Sequence, residues 1–125
     1  MNLLLDTHVF LWWVGDDPQL NAKARASIAH PNNLVFVSAA TAWEISIKSS
    51  LGKLSAPDES EFELEVHGLR ALPILNAHAL AVKHLPLHHQ DPFDRLLIAQ
   101  ASLERLTLVT HDTHMKLYGG SLLMA

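Results

Sequence analysis

The sequence predicts an α/β fold built on a mainly parallel sheet. Three observations predict it. Short apolar runs (Leu3-Leu4-Leu5, Leu34-Val35-Phe36-Val37, Leu106-Thr107-Leu108-Val109-Thr110) have the length and composition of strands buried on both faces. Segments with helix-start signals separate them, among them Asp17-Pro18, Ser38, Asn76 and Asp91-Pro92. No hairpin dipeptide joins one strand to the next, so the strands need helical crossovers.

In chain order, Leu3-Leu4-Leu5 is the first strand and ends at Asp6, with a short helix following from Thr7 to Trp13. Its two tryptophans, Trp12 and Trp13, adjoin an apolar segment and are expected to pack. Asp17-Pro18 opens a second helix running to about His30, and Pro31-Asn32-Asn33 is a turn. The second strand follows, and Ser38 caps a helix that ends at Gly52 and contains Glu44. Ala56-Pro57-Asp58 starts a fourth helix, acidic in its first turns, to about Leu69. Leu72-Pro73-Ile74-Leu75 is a short strand that Pro73 assigns to an edge, and Asn76 caps a fifth helix to about His84. Asp91 caps the sixth helix with Pro92 in its first turn, where a missing N–H costs nothing. Strand 106–110, a short helix and a last strand at 121–124 complete the chain.

The chain has 125 residues, 49% hydrophobic, which is enough for one domain with a real core, taken as 1–125. Cysteine is absent, excluding disulfides and thiolate metal sites. No apolar run approaches a membrane span and no signal-peptide pattern stands at the start, so a cytoplasmic protein is expected. A net charge of −4 argues against a simple electrostatic nucleic-acid binder, but not against an enzyme whose acidic cluster is neutralised by metal.

In a parallel sheet connected by helices, strand C-termini and helix N-termini collect at one edge, where ligands bind. Asp6, Asp112 and Asp94 all belong on that edge. Glu44 shares a helical stripe with Ala40, Ile47 and Leu51 and points the same way; the competing reading is a surface pair with Lys48 at i+4. Converging carboxylates repel and raise one another's pKa values. A divalent cation resolves that cost, and oxygen-only ligands favour Mg²⁺ or Mn²⁺ over Zn²⁺. Such a site suits phosphoryl chemistry.

Four blocks, in this order, resemble the PIN domain family, particularly the ribonuclease toxins of VapBC-type pairs. They are Leu3-Leu4-Leu5-Asp6-Thr7-His8, Ser38-Ala39-Ala40-Thr41-Ala42-Trp43-Glu44-Ile45, Asp91-Pro92-Phe93-Asp94-Arg95-Leu96-Leu97-Ile98-Ala99-Gln100-Ala101 and Leu108-Val109-Thr110-His111-Asp112. The third is the most specific. The resemblance implies a three-layer α/β/α sandwich and Mg²⁺- or Mn²⁺-dependent endoribonuclease activity, with water activated by the metal attacking a phosphodiester. It makes Asp6, Glu44, Asp94 and Asp112 the catalytic, metal-holding set, with Thr7, Thr110 and the capping Asp91 around it. It also implies a homodimer, an RNA substrate and a cognate antitoxin as the partner of a type II toxin. His8 stands where many relatives carry a small polar residue and receives no role.

Nine histidines invite a metal reading, but Pro86 breaks the helix that would align His84 with His88, and no ligand motif fits. His84, His88 and His89 are read as ordinary loop and surface residues. His111 and His114 flank Asp112 and, with Arg95 and Lys116, are candidates to touch RNA phosphate; the alternative is solvated surface charge. Rival functions are a PIN-fold nuclease acting on DNA or structured ends, and a silent PIN-like interaction module. A phospho-receiver is disfavoured because Asp6 stands without an acidic neighbour and Lys116 comes late.

Overall fold

A computed structural model describes residues 1–55 and 58–125. Five strands, β1 (Asn2–Leu5), β2 (Leu34–Ser38), β3 (Arg70–Leu72), β4 (Thr107–Thr110) and β5 (Leu122–Met124), form one sheet in the order β3-β2-β1-β4-β5. Every pairing is parallel, with Leu4 facing Phe36 on one side and Leu108 on the other. The helices are α1 (Thr7–Val14), α2 (Ala22–Ala29), α3 (Ala39–Ser50), α4 (Asn76–Ala81) and α5 (Pro92–Glu104).

The period-two alternation of each strand divides the apolar residues into two cores. Leu3, Leu5, Val35, Val37 and Val109 pack with Val9 and Phe10 of α1 and Ala24 and Ile28 of α2. Leu4 and Leu108 pack on the opposite face with Leu97 and Ala101 of α5 and with Met115. The result is a three-layer α/β/α sandwich. Trp12 is buried in the first core and the Trp13 indole donates to the His67 carbonyl at 3.0 Å, so both tryptophans pack. No helix among the described residues is long and apolar enough to cross a membrane.

Four segments differ from the sequence expectation. Asp17-Pro18 does not open α2: the Asp17 carboxylate accepts from the Gln19 N–H (2.8 Å), the chain turns to bury Leu20, and Asn21 then caps the helix. The start of the expected fourth helix, at Ala56-Pro57, lies outside the described residues. From Glu59 the chain forms two 3₁₀ turns, Glu59–Phe62 and Leu64–His67. Its apolar residues there, Phe62, Leu64 and Val66, are spaced by two, which no α-helical face collects, and Gly68 at φ 75° ends the second turn. β3 is an edge strand as expected, but pairs through Arg70, Ala71 and Leu72, because Pro73 has no N–H for the ladder. At α4 the cap position belongs to Leu75, whose N–H donates to Nδ1 of His78 (3.0 Å), while Asn76 is already helical.

Candidate active site

The C-terminal edge of β1 and β4 and the N-terminus of α5 meet at one place. Asp6 follows β1 directly and is also the N-cap of α1, its Oδ1 accepting from the Val9 N–H at 2.9 Å. Its Oδ2 accepts from the Thr110 hydroxyl at the end of β4 (2.5 Å), and that hydroxyl oxygen accepts the Asp112 N–H at 3.0 Å. One threonine thus ties the first acidic residue to the turn carrying the last. Burial pushes the Asp6 carboxyl pKa upward, against the hydrogen bonds from Thr110 and Val9.

Asp94 stands in the first turn of α5, where the Asp91 carboxylate caps the N–H groups of Phe93 (2.8 Å) and Asp94 (3.2 Å). Burial raises the Asp94 pKa to about 7, and the negative charges of Asp91, Asp6 and Glu44 add to the effect while His89 opposes it. These three acidic groups therefore lie close enough to feel Asp94 as a like charge. Asp112 differs: its Oδ1 accepts from the His114 N–H (2.9 Å) and contacts the His114 ring, and its Oδ2 meets His89. Burial works to raise its pKa, but these contacts together hold it below the usual carboxylate value.

Glu44 is buried on α3 with both oxygens occupied. The Thr7 hydroxyl donates to Oε1 and Lys48 Nζ pairs with Oε2, each at 2.6 Å. The two sequence readings of Glu44 are thus both visible, since it faces the acidic edge and it pairs with Lys48. The pair is also more than a surface one. The hydrogen bond to Glu44 raises the Lys48 pKa against desolvation, and Asp91 and Asp94 raise it further, so the ammonium serves the cluster as counter-charge.

Two sequence readings are corrected here. His89 is not an ordinary loop residue: its Nε2 lies 2.8 Å from Asp112 Oδ2 and 3.1 Å from Asp94 Oδ2. Among the described residues, His89, Asp94 and Asp112 form the group whose ligand atoms all lie within 4.8 Å of one another. Arg95 is neither an RNA-facing charge nor a solvated one. It is buried, and its guanidinium donates to the carbonyls of Pro86 (2.8 Å) and Val82 (3.1 Å) and to the Tyr118 hydroxyl (3.2 Å). That clamp fixes the loop, and the Tyr118 oxygen also accepts the His89 N–H at 2.9 Å. The proximity of His89 to the Asp91 cap is the signal the sequence holds for it, and helical His spacing does not contain it. His111 lies against Trp12 and the Ala125 carbonyl, whereas His114 touches Asp112.

The donor set fits a hard divalent cation. Carboxylate oxygens of Asp94 and Asp112 lie within 4.8 Å of one another, and Asp94 stands among like charges that Lys48 and His89 only partly offset.

The PIN domain family profile matches residues 3–120. Ribonuclease VapC22 of Mycobacterium tuberculosis is 30% identical over 118 residues, covering 91% of this chain and 89% of the relative. The fold is similar to a chain of VapBC2 from Rickettsia felis bound to a promoter DNA fragment (TM-score 0.76, 18% identity, 99% and 98% of the two chains). It is also similar to a chain of VapBC-1 from nontypeable Haemophilus influenzae (TM-score 0.67, 20% identity, 99% and 98%). An acidic sheet edge, a profile match along nearly the whole chain and this relative together place the chain in the PIN domain family, as a nuclease of the VapC type.

Proposed function

We propose that the chain is a Mg²⁺- or Mn²⁺-dependent endoribonuclease, the toxin of a type II toxin–antitoxin pair. The observation that carries the reading is the crowding of carboxyl groups at the Asp94 end of α5, where burial and three acidic neighbours act together and Lys48 and His89 offset them only in part. Asp94, Asp112 and Asp6 are the residues that would hold the cation, with Glu44 beside them, tethered by Thr7 and Lys48. A divalent cation there would lower the pKa of an attacking water and neutralise charge developing on the phosphate. The chain's own groups do the rest. Thr110 fixes one Asp6 oxygen, the α5 cap orients Asp94, and the Arg95 clamp holds the loop against which Asp112 is positioned.

RNA is the proposed substrate because the matched relative is a ribonuclease. A cognate antitoxin as partner rests on the VapBC assemblies among the structural neighbours; a homodimer is proposed with it on family likeness. The test is cleavage of labelled RNA and matched DNA by pure protein, with Mn²⁺, with Mg²⁺ and with chelator, beside Asp94→Asn. Cation-dependent cleavage of RNA that the variant lacks is the expected result. Cleavage confined to DNA would transfer the reading to a DNA nuclease. Cleavage that chelator leaves intact would remove the metal, and no cleavage of either polymer would favour the silent module.

A further inference from the structure

Resting on that metal-dependent reading, we propose that His89 is a hydrogen-bond donor to the acidic site and not one of its ligands. Its Nε2–H bridges Asp94 and Asp112, and it must yield their oxygens when a divalent cation binds.

The assignment follows from the other ring nitrogen. Nδ1 of His89 accepts the Asp91 backbone N–H at 3.1 Å. In the neutral ring a nitrogen that accepts carries no proton, so the proton is on Nε2. Nε2 therefore faces Asp112 Oδ2 at 2.8 Å and Asp94 Oδ2 at 3.1 Å as a donor shared between two carboxylates. A ligating histidine has the opposite arrangement, with the free ring nitrogen donating to a carbonyl or carboxylate while the ligating nitrogen is bare. To ligate through Nε2, His89 would need its proton on Nδ1, pointing at the N–H of Asp91.

His78 shows the same wiring away from the acidic edge. Its Nδ1 accepts the Leu75 N–H at 3.0 Å, and its Nε2 lies 2.8 Å from Glu104 Oε1. That histidine ties α4 to α5 as a donor. The difference at His89 is its pair of acceptors, which are also the carboxylates proposed to take the cation. The ring is held for this task from its backbone side as well, by the Tyr118 hydroxyl on its N–H and by the Arg95 clamp on its loop. His89 is thus a positioning residue: it bridges Asp94 and Asp112, and it competes with the cation for the same oxygens.

The competition gives the test its sign. Mn²⁺ binding is measured by titration calorimetry on wild type, His89→Leu and His89→Gln, with circular dichroism to verify folding. Losing the donor should tighten Mn²⁺ binding by about tenfold, the size of one charge-assisted hydrogen bond. Glutamine, whose amide can donate from nearly the Nε2 position, should return the affinity toward wild type. Weaker binding by His89→Leu would make His89 a ligand and overturn the proposal, as would unchanged binding. Should His89→Leu fail to fold, electron spin-echo measurement on Mn²⁺-loaded wild type decides instead: a directly bound nitrogen overturns the proposal and its absence supports it. Wild type that binds no Mn²⁺ would overturn the metal reading and this inference together, whereas RNA cleavage with Mn²⁺ bound and the wrong sign in His89→Leu would sink the inference alone.

Discussion

Helix α5 carries two polar networks, one near each end, and each contains a histidine whose Nδ1 accepts a nearby backbone N–H. Toward its C-terminal half, Gln100 is fully buried; its Oε1 accepts the Ser38 hydroxyl at 2.5 Å and its Nε2 donates to the Pro73 carbonyl at 3.2 Å. His78 lies beside it and reaches Glu104. Every group there has a partner of opposite character, and one carboxylate faces one histidine. At the N-terminal end the same helix brings Asp91 and Asp94 together with Asp6, Glu44 and Asp112, and offers Lys48 and His89 against them. The first network is balanced and locks α5 to the sheet and α4. The second holds an excess of negative charge, which the first supports structurally. A satisfied buried network contributes to a unique structure, whereas an unbalanced one stores affinity for whatever restores the balance.

The contrast can be broken from either side. The largest effect is expected from Asp94→Asn, which should lower cation-dependent RNA cleavage by at least about a hundredfold while the protein stays folded, as single-turnover assays and circular dichroism would report. Retained turnover at saturating Mg²⁺ would remove Asp94 from the site. Gln100→Leu should do the reverse, leaving the acidic groups in place but destabilising the fold by about 1–3 kcal/mol for each buried partner it orphans, read from urea unfolding.

Next in size is the response to metal. At about 100 times the dissociation constant, Mn²⁺ should stabilise wild type by about 2.7 kcal/mol. Asp94→Asn should shrink that gain. Gln100→Leu should keep it on a lower baseline. Glu44→Gln is the informative variant, because Glu44 already has both oxygens occupied: an undiminished gain there would confine Glu44 to its pair with Lys48.

A pH series separates the networks without metal. Asp94 has a folded pKa of about 7 against an ordinary 3.8, so the folded state holds its proton longer than the unfolded chain does. Through this group stability falls as pH rises from about 4 to about 7, and the full penalty remains above that. Asp94→Asn should therefore gain on wild type as pH rises through that window, by an amount on the order of a few kcal/mol. Parallel stability curves for the two proteins would show that the charge on Asp94 is already compensated. The smallest effect belongs to Asp91→Ala, which removes the α5 cap and should cost about 0.5–2 kcal/mol in thermal melts. Complete loss of turnover in a stable Asp91→Ala protein would instead put Asp91 among the ligands.

Much of this was legible in the chain because the signals are local. The apolar runs at Leu3, Leu34 and Leu106 read as buried strands since a strand covered on both faces needs no alternation. Asp91-Pro92 fixes the start of α5, and with it the position of Asp94, within one turn. What was not legible depends on distant partners. Whether Asp17-Pro18 begins a helix is decided by where Leu20 finds the core, and Asn21 then offers an equally good cap. Arg95 and His89 look like surface charge and loop histidine because nothing local reveals that the guanidinium is buried under the carbonyls of Val82 and Pro86. Charge type is written in the sequence; the closing of a loop over it is a tertiary fact.

The Arg95 clamp has a consequence that can be observed without changing a residue. The segment from Leu85 to Asp91 has almost no regular secondary structure, so its amide protons would ordinarily exchange with solvent quickly. Yet the His89 amide is held by the Tyr118 hydroxyl and the Asp91 amide by the His89 ring. Two deuterium-exchange probes are therefore built into this loop. The His89 amide should be protected as long as Arg95 and Tyr118 stay together, while the Asp91 amide follows the ring itself. Slow exchange at both, in a stretch without ladder or helix, would make this loop a native reporter of what occupies the neighbouring carboxylates.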